Sequence, residues 1–132
     1  MCLTAAVLVA ACGGSDTAPT DDPMSIGREV YGRICSTCHG PGGAGGVGPA
    51  LTGVLETFPA CGDQERWIRL GSHRWKDEVS PTYGAAGREV KGAMPSFESS
   101  LTTEEIAAVA SFERVRYGGG DVASVTADCA SG

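Results

Sequence analysis

A short run of residues in the first third of the chain places two thiols directly before an imidazole. The run is Cys35-Ser36-Thr37-Cys38-His39, with the order Cys-x-x-Cys-His. Two thiols at this spacing can add across the vinyl groups of a porphyrin, and the adjacent histidine can face the iron as an axial ligand. The run therefore predicts one haem c, covalently bound through Cys35 and Cys38, with His39 as an iron ligand.

Two other chemistries use similar cysteine pairs. A thioredoxin-like dithiol has its first cysteine at the start of a helix, where the macrodipole lowers the thiol pKa. Here Asp22 and Pro23 predict the start of a helix, and its apolar pattern ends at the cysteines instead. A structural zinc site needs four ligands, usually in two pairs, but the sequence adds only isolated Cys61, His73 and Cys129. Haem is therefore favoured over zinc and over a redox dithiol.

The region from Ile26 to Tyr117 resembles the class I mono-haem cytochrome c family. Gly27 and Tyr31 stand eight and four residues before the first haem cysteine, as in that family. Gly48-Pro49-Ala50-Leu51 matches the family's Gly-Pro-x-Leu, whose proline carbonyl accepts the histidine Nδ1 proton and strengthens the ligand. The resemblance implies an all-α cytochrome c fold, with three to four helices around one covalently bound haem c and long Gly-rich loops.

A second iron ligand is implied by the same resemblance. Gly92-Ala93-Met94-Pro95-Ser96-Phe97 is similar to the family turn that carries a methionine ligand, which makes Met94 the predicted partner of His39. A lone methionine can instead fill a core. His73 is the alternative ligand, and an open sixth position is the third possibility.

The C-terminal helix has clear sequence signals at both ends. Thr102 and Glu105 form a capping box, and the glycine run that begins at Gly118 ends the helix. By resemblance, Val109 and Phe112 pack against the N-terminal helix where the two cross. This crossing is predicted to be structural and not catalytic.

The middle of the chain has weaker signals. An Asp63 cap and a Gly71 stop predict a short helix, and residues 79–90 are expected to form an irregular loop over one haem edge. The resemblance implies that this region holds a haem propionate, a role for which a guanidinium fork is well suited. The candidates are Trp67, Arg69, Arg74 and Trp75. The alternative is a solvated charged face with tryptophan in the core.

The N-terminal residues have the features of an export signal. Met1 to Ala11 is uncharged and mostly apolar, yet far shorter than the ~20 residues that a spanning helix needs. Val9-Ala10-Ala11-Cys12 resembles a bacterial lipoprotein processing box, which implies a lipid at Cys12. A buried apolar terminus fits less well, because a polar linker follows. The predicted division is a signal peptide at 1–11, a lipidated flexible linker at 12–22, a cytochrome c domain at 23–117 and a C-terminal tail at 118–132.

Two cysteines are left over by these assignments. Cys61 and Cys129 are predicted to form a disulfide, because an exported protein meets an oxidising compartment. Two free buried thiols are the alternative. Such a protein lies on the outer face of the bacterial cytoplasmic membrane or in the periplasm.

The predicted function is one-electron transfer without enzymatic turnover, because two protein ligands leave no position on the iron for a substrate. The expected protein is a monomeric, membrane-tethered carrier of a respiratory chain, with a quinol oxidoreductase, a terminal oxidase or a dehydrogenase as redox partners. A fixed haem subunit of a larger oxidase or dehydrogenase and a haem enzyme such as a peroxidase are the alternatives. The net charge of -6 argues against nucleic acid as a partner.

Overall fold

The structure is a computed structural model that describes residues 22–130, so the predicted signal peptide, Cys12 and nearly all of the linker lie outside the described residues. No helix within this part of the chain is long and apolar enough to cross a membrane. The described residues are mostly helical and include one small antiparallel sheet. The elements are α1 Pro23–Val30, α2 Ser36–His39, α3 Val54–Thr57, α4 Cys61–Glu78, β1 Thr82–Tyr83, β2 Arg88–Glu89, α5 Thr103–Arg116 and α6 Val122–Cys129.

The first helix begins and ends where its sequence signals predict. The Asp22 side chain accepts hydrogen bonds from the backbone at the start of α1, and Pro23 occupies the first turn. A π-helical turn, Tyr31–Cys35, joins α1 to α2, which ends before Gly40 at a φ of 77°. The prediction that this helix ends at the cysteine pair is confirmed, although the π-helical turn was not predicted.

Helices α1 and α5 cross in close contact at Gly27. A Cβ atom at this position would lie 2.1 Å from the carbonyl oxygen of Ala108 and 2.6 Å from the Cβ of Phe112. The rings of Tyr31 and Phe112 pack beside this point, with 5.7 Å between their centroids. The capping box from Thr102 to Glu105 is present at the start of α5. The predicted crossing of the terminal helices is therefore confirmed.

The middle helix differs from its prediction in length and in its interruption. Helix α4 begins at Cys61, before the predicted Asp63 cap, and continues past Gly71 to Glu78. Gly71 has a φ of 66°, which breaks the helical backbone. The helix resumes after it because the following turn buries Trp75 in a second apolar cluster with Leu70 and Val90. Gly71 is thus a kink and not a stop.

Two segments without predicted structure are ordered elements. The expected loop at 79–90 contains the β1–β2 hairpin, whose turn is built on Gly84 and Gly87 at positive φ. The predicted tail contains α6, whose Val125 and Cys129 are buried in the main core. Burial of these side chains stabilises a helix too short to persist alone. The described chain therefore has more helical segments than the three to four that were predicted.

Candidate haem-binding site

The two thiols of the attachment sequence lie in the last turns of the first helix. Cys35 and Cys38 are the free cysteines among residues 22–130, and both are half-buried. Burial, with a smaller contribution from the Glu113 carboxyl group, raises the pKa of the Cys35 thiol to about 12. A redox dithiol needs the opposite shift, since the thiolate is the nucleophile. The environment of Cys35 therefore does not suit thiol–disulfide chemistry.

His39 is held by the loop that follows it. Its Nδ1 lies 2.8 Å from the carbonyl oxygen of Pro49, which can only accept, so Nδ1 carries the proton and donates. The backbone N–H of Gly48 donates to the carbonyl oxygen of Cys38 at 2.8 Å. A Cβ atom on Gly48 would lie 3.0 Å from the histidine ring, so glycine allows the loop to rest on the imidazole. The Nε2 atom of His39 is left to bind a metal.

Met94 is held by the kink in α4. Its carbonyl oxygen accepts hydrogen bonds from the backbone N–H of Ser72 at 2.9 Å and from the Ser72 hydroxyl at 3.3 Å. A Cβ atom on Gly71 would lie 2.6 Å from that same oxygen, so the kink needs glycine both for its positive φ and for this contact. The half-buried thioether of Met94 thus sits on a fixed segment.

Trp67 makes a contact that the sequence did not reveal. Its indole Nε1–H donates to the Met94 sulfur at 3.0 Å, and its ring stacks on Tyr83 with 4.4 Å between centroids. The family resemblance made this tryptophan one of four candidates for a propionate contact, with a place in the core as the alternative. In the structure its N–H group faces the candidate ligand instead. A thioether sulfur has two lone pairs, so one remains for a metal.

The other propionate candidates have partners within the protein. Trp75 is buried and donates its indole N–H to the carbonyl oxygen of Thr82 at 2.9 Å. Arg74 pairs with Glu78 and Glu98. Arg69 is half-buried near Glu65. His73, the alternative iron ligand, is exposed on α4.

The residues present fit a haem c. Two free thiols could form the covalent bonds to the porphyrin, and an imidazole nitrogen and a thioether sulfur could hold the iron. Several large apolar side chains nearby are only partly buried, so a planar apolar group could cover them. They include Ile34, Leu51, Trp67, Tyr83, Met94 and Phe97.

Cys61 and Cys129 form a disulfide that joins the start of α4 to the end of α6, 68 residues apart. Glu65 lies beside them, and the ligand atoms of the three residues are within 4.8 Å of one another. Two sulfurs bonded to each other cannot serve as separate thiolate ligands. This cluster therefore does not suit a structural zinc ion.

A buried polar network behind the attachment sequence was also missed by the sequence analysis. Glu113 accepts a hydrogen bond from Gln64 at 2.9 Å, and Arg114 donates to Gln64 at 3.3 Å and to Asp128 at 3.3 Å. The available signal was spacing, because Glu113 follows Val109 by four residues and so shares its buried face. Charged side chains are rarely buried, so one that lies on the apolar face of a helix indicates a specific role.

The fold and this site together define a c-type cytochrome domain. A profile described as cytochrome C oxidase, cbb3-type, subunit III matches residues 22–112, more than half of the 132 residues, and the chain belongs to this family. The match ends within α5, so Glu113, α6 and Cys129 lie beyond it. No curated protein and no solved structure matches the chain.

Proposed function

We propose that this protein is a one-electron carrier whose single haem c is bonded to Cys35 and Cys38 and ligated by His39 and Met94. The observation that carries the proposal concerns the two candidate ligands. In each of them the protein contacts one nitrogen atom or sulfur lone pair, and a second one is left to bind iron. Pro49 holds the His39 ring at 2.8 Å, and Trp67 contacts the Met94 sulfur at 3.0 Å. When bound, haem c supplies a ferric–ferrous couple whose potential methionine ligation raises.

In this proposal the protein's own residues hold the iron and keep substrates away from it, so the protein transfers electrons without enzymatic turnover. With His39 and Met94 both holding the iron, oxygen, peroxide or another substrate would have no place to bind. Both ligands lie on segments fixed by backbone hydrogen bonds, at Gly48 and at Ser72. Rigid ligands favour rapid electron transfer, because little has to rearrange when the charge changes.

The surface beside the ligands suits close approach of a redox partner. Residues 40–53 and 92–97 contain no charged side chain, although the protein carries a net charge of -6. Val47 is 92 % exposed within the first of these segments. A partner can therefore approach the ligand-bearing loops without desolvating charge, which would oppose contact.

The partners we propose are those of a respiratory chain, with an oxidase complex favoured by the family description. A quinol oxidoreductase or a dehydrogenase can supply the electron. Among residues 22–130, Val47 and Val122 are the strongly exposed large apolar side chains, which favours a monomeric shuttle over a permanently bound subunit. The role as an oxidase subunit is the alternative, and the family description is what supports it.

The location we propose is outside the cytoplasm. A lipid on Cys12 would tether the domain to the outer face of the membrane through the polar linker before Asp22. The Cys61–Cys129 disulfide supports this location, because such bonds persist in oxidising compartments.

The decisive test is the optical spectrum of the oxidised protein. Methionine ligation gives a weak sulfur-to-iron charge-transfer band, which we expect in the wild type and in His73→Ala but not in Met94→Ala. The His73 variant is the matched control, since it removes the alternative ligand. A wild-type spectrum without the band, or a band that survives in Met94→Ala, would contradict the proposed ligand set.

A further inference from the structure

Glu113 is a buried carboxyl group beside the predicted point of haem attachment. Its side chain is 5 % exposed and accepts a hydrogen bond from Gln64 at 2.9 Å. It also lies close enough to Cys35 for each group to affect the pKa of the other. None of the ion pairs found within residues 22–130 includes it. The neighbouring Arg114 directs its guanidinium to the carbonyl oxygens of Phe58 and Pro59, at 2.7 and 2.8 Å.

We propose that Glu113 binds a proton when the cytochrome is reduced and releases it on oxidation, so that electron transfer is coupled to proton uptake. The inference rests on the proposed function, because it requires a haem c bonded to Cys35 that can be reversibly reduced and oxidised. A redox partner protein supplies one electron, which converts ferric to ferrous iron. One proton from solvent bonds to a carboxylate oxygen of Glu113, and both charges leave on reoxidation.

The physical cause is the burial of a carboxyl group that takes part in none of the ion pairs found within residues 22–130. Burial raises the pKa of Glu113 to about 8, even though hydrogen bonds from Gln64 and Cys35 favour the charged form. A thioether has no S–H to donate, so attachment of haem removes one of these bonds and raises the pKa further. Ferric iron carries one more positive charge than ferrous iron and therefore favours the ionised carboxylate. Proton affinity is then higher in the reduced protein.

The groups that surround Glu113 do not replace it as the site of proton uptake. Those that interact with it directly are Tyr31, Cys35 and Gln64, and the charged groups of the adjoining network are Glu65, Arg69, Arg114 and Asp128. Burial raises the pKa of Tyr31, so the phenol stays neutral near pH 7. Burial also raises the pKa of Glu65, but the cations of Arg69 and Arg114 favour its charged form. No cation among residues 22–130 forms an ion pair with Glu113, so protonation is what removes its charge.

The test is a pH titration of the midpoint potential of the haem-loaded protein. Glu113 should have one pKa in the oxidised protein and a higher one in the reduced protein. Between these two pH values the midpoint potential should fall as pH rises. The redox equilibrium constant should change by up to tenfold per pH unit, which corresponds to about 59 mV. Glu113→Gln keeps the shape and can still accept from Gln64, but it cannot ionise. We expect this variant to lose the slope. Glu65→Gln, an equally buried glutamate on the adjacent helix, should keep it.

A second measurement keeps the proposal testable if Glu113→Gln folds poorly. The reduced-minus-oxidised infrared spectrum of the wild type should gain the band of a protonated carboxylic acid, and this band should be absent in Glu113→Gln. A potential independent of pH in the wild type would overturn the proposal while leaving electron transfer intact. A slope that survives in Glu113→Gln would also overturn the proposal, because a different group would then take up the proton. Absence of any reversible one-electron couple would instead contradict the proposed function.

Discussion

At the scale of the residue, His39 and Met94 are alike in that the protein contacts only part of each side chain's binding capacity. Each offers two donor positions, and the protein occupies one of them. The carbonyl oxygen of Pro49 takes the His39 Nδ1 proton, and the Trp67 N–H group takes one lone pair of the Met94 sulfur. The remaining position on each proposed ligand is thereby oriented by the protein itself. Such outer contacts also adjust how strongly a ligand donates to a metal.

Replacing Trp67 with phenylalanine should lower the midpoint potential. The indole N–H draws electron density from the Met94 sulfur, so its removal leaves a more electron-rich ligand that favours ferric iron. A hydrogen bond of ~1 kcal/mol present in one oxidation state corresponds to about 40 mV, which is the upper limit expected. Spectroelectrochemical titration measures this shift.

Trp75→Phe is the matched control for that experiment. It removes the same indole N–H group, but from a hydrogen bond to the backbone carbonyl of Thr82 at 2.9 Å, away from the sulfur. We expect reduced stability with little change in potential. Equal shifts in the two variants would mean that general loosening of the aromatic cluster, and not the contact with Met94, sets the potential.

The two ligand contacts differ in how far they could be predicted from sequence. His39 and Pro49 lie ten residues apart in one loop, and their spacing already indicated the contact that the structure contains. Trp67 and Met94 lie 27 residues apart on separate segments. They meet because α4 bends at Gly71, and no local pattern encodes that bend. The contact between Glu113 and Gln64 was missed for a similar reason, since the two residues are 49 positions apart.

At the scale of elements, local signals predicted the helices that begin with a capping side chain. The Asp22 cap and the Thr102 capping box both appear at the predicted positions. Helix α6 was missed because its residues are small and its amphipathic pattern is short. Asp121 does cap it, but its stability comes from Val125 and Cys129 packing on other helices. Tertiary burial can stabilise a helix that its local sequence does not.

Alanine at Gly27 should destabilise the crossing of α1 and α5. The new Cβ would lie 2.1 Å from the Ala108 carbonyl oxygen, which is backbone and cannot rotate away. The helices would have to separate, at the expense of packing in the main core. We expect the free energy of unfolding to fall by about 3 kcal/mol, the upper end for overpacked cores. Chemical denaturation followed by circular dichroism measures this loss.

Gly32→Ala tests whether that effect comes from the contact and not from the loss of a glycine. Gly32 lies in the same continuous helix, and a Cβ there would have nothing within 4 Å. Alanine should keep stability or raise it by about 0.5–1 kcal/mol, because it restricts the unfolded backbone. A comparable loss in both variants would contradict the importance of the close approach at Gly27.

At the scale of the whole molecule, the structure shows how a small domain gains cohesion beyond its apolar core. The residues described contain two apolar clusters, one of which is built on only Leu70, Trp75 and Val90. Small domains often need a covalent or cofactor staple. The Cys61–Cys129 disulfide joins α4 to α6, and Arg114 joins the same region through Asp128. Of the two bridged cysteines, Cys61 lies within the family match and Cys129 lies beyond it.

Removing the disulfide should therefore weaken the whole fold while leaving the ligands in place. Closing a loop with a sequence separation of 68 residues lowers the entropy of the unfolded chain, which corresponds to about 4 kcal/mol of stability. We expect the Cys61→Ala, Cys129→Ala double variant to lose stability of this size in chemical denaturation. The ligand segments at 39–49 and 92–97 contain neither cysteine, so the optical spectrum of the haem should not change. Amide hydrogen exchange should rise first at Val125 in α6, since that helix has few buried side chains to hold it. If exchange rose equally in α5, the bridge would be supporting the helix crossing itself and not only the attachment of α6.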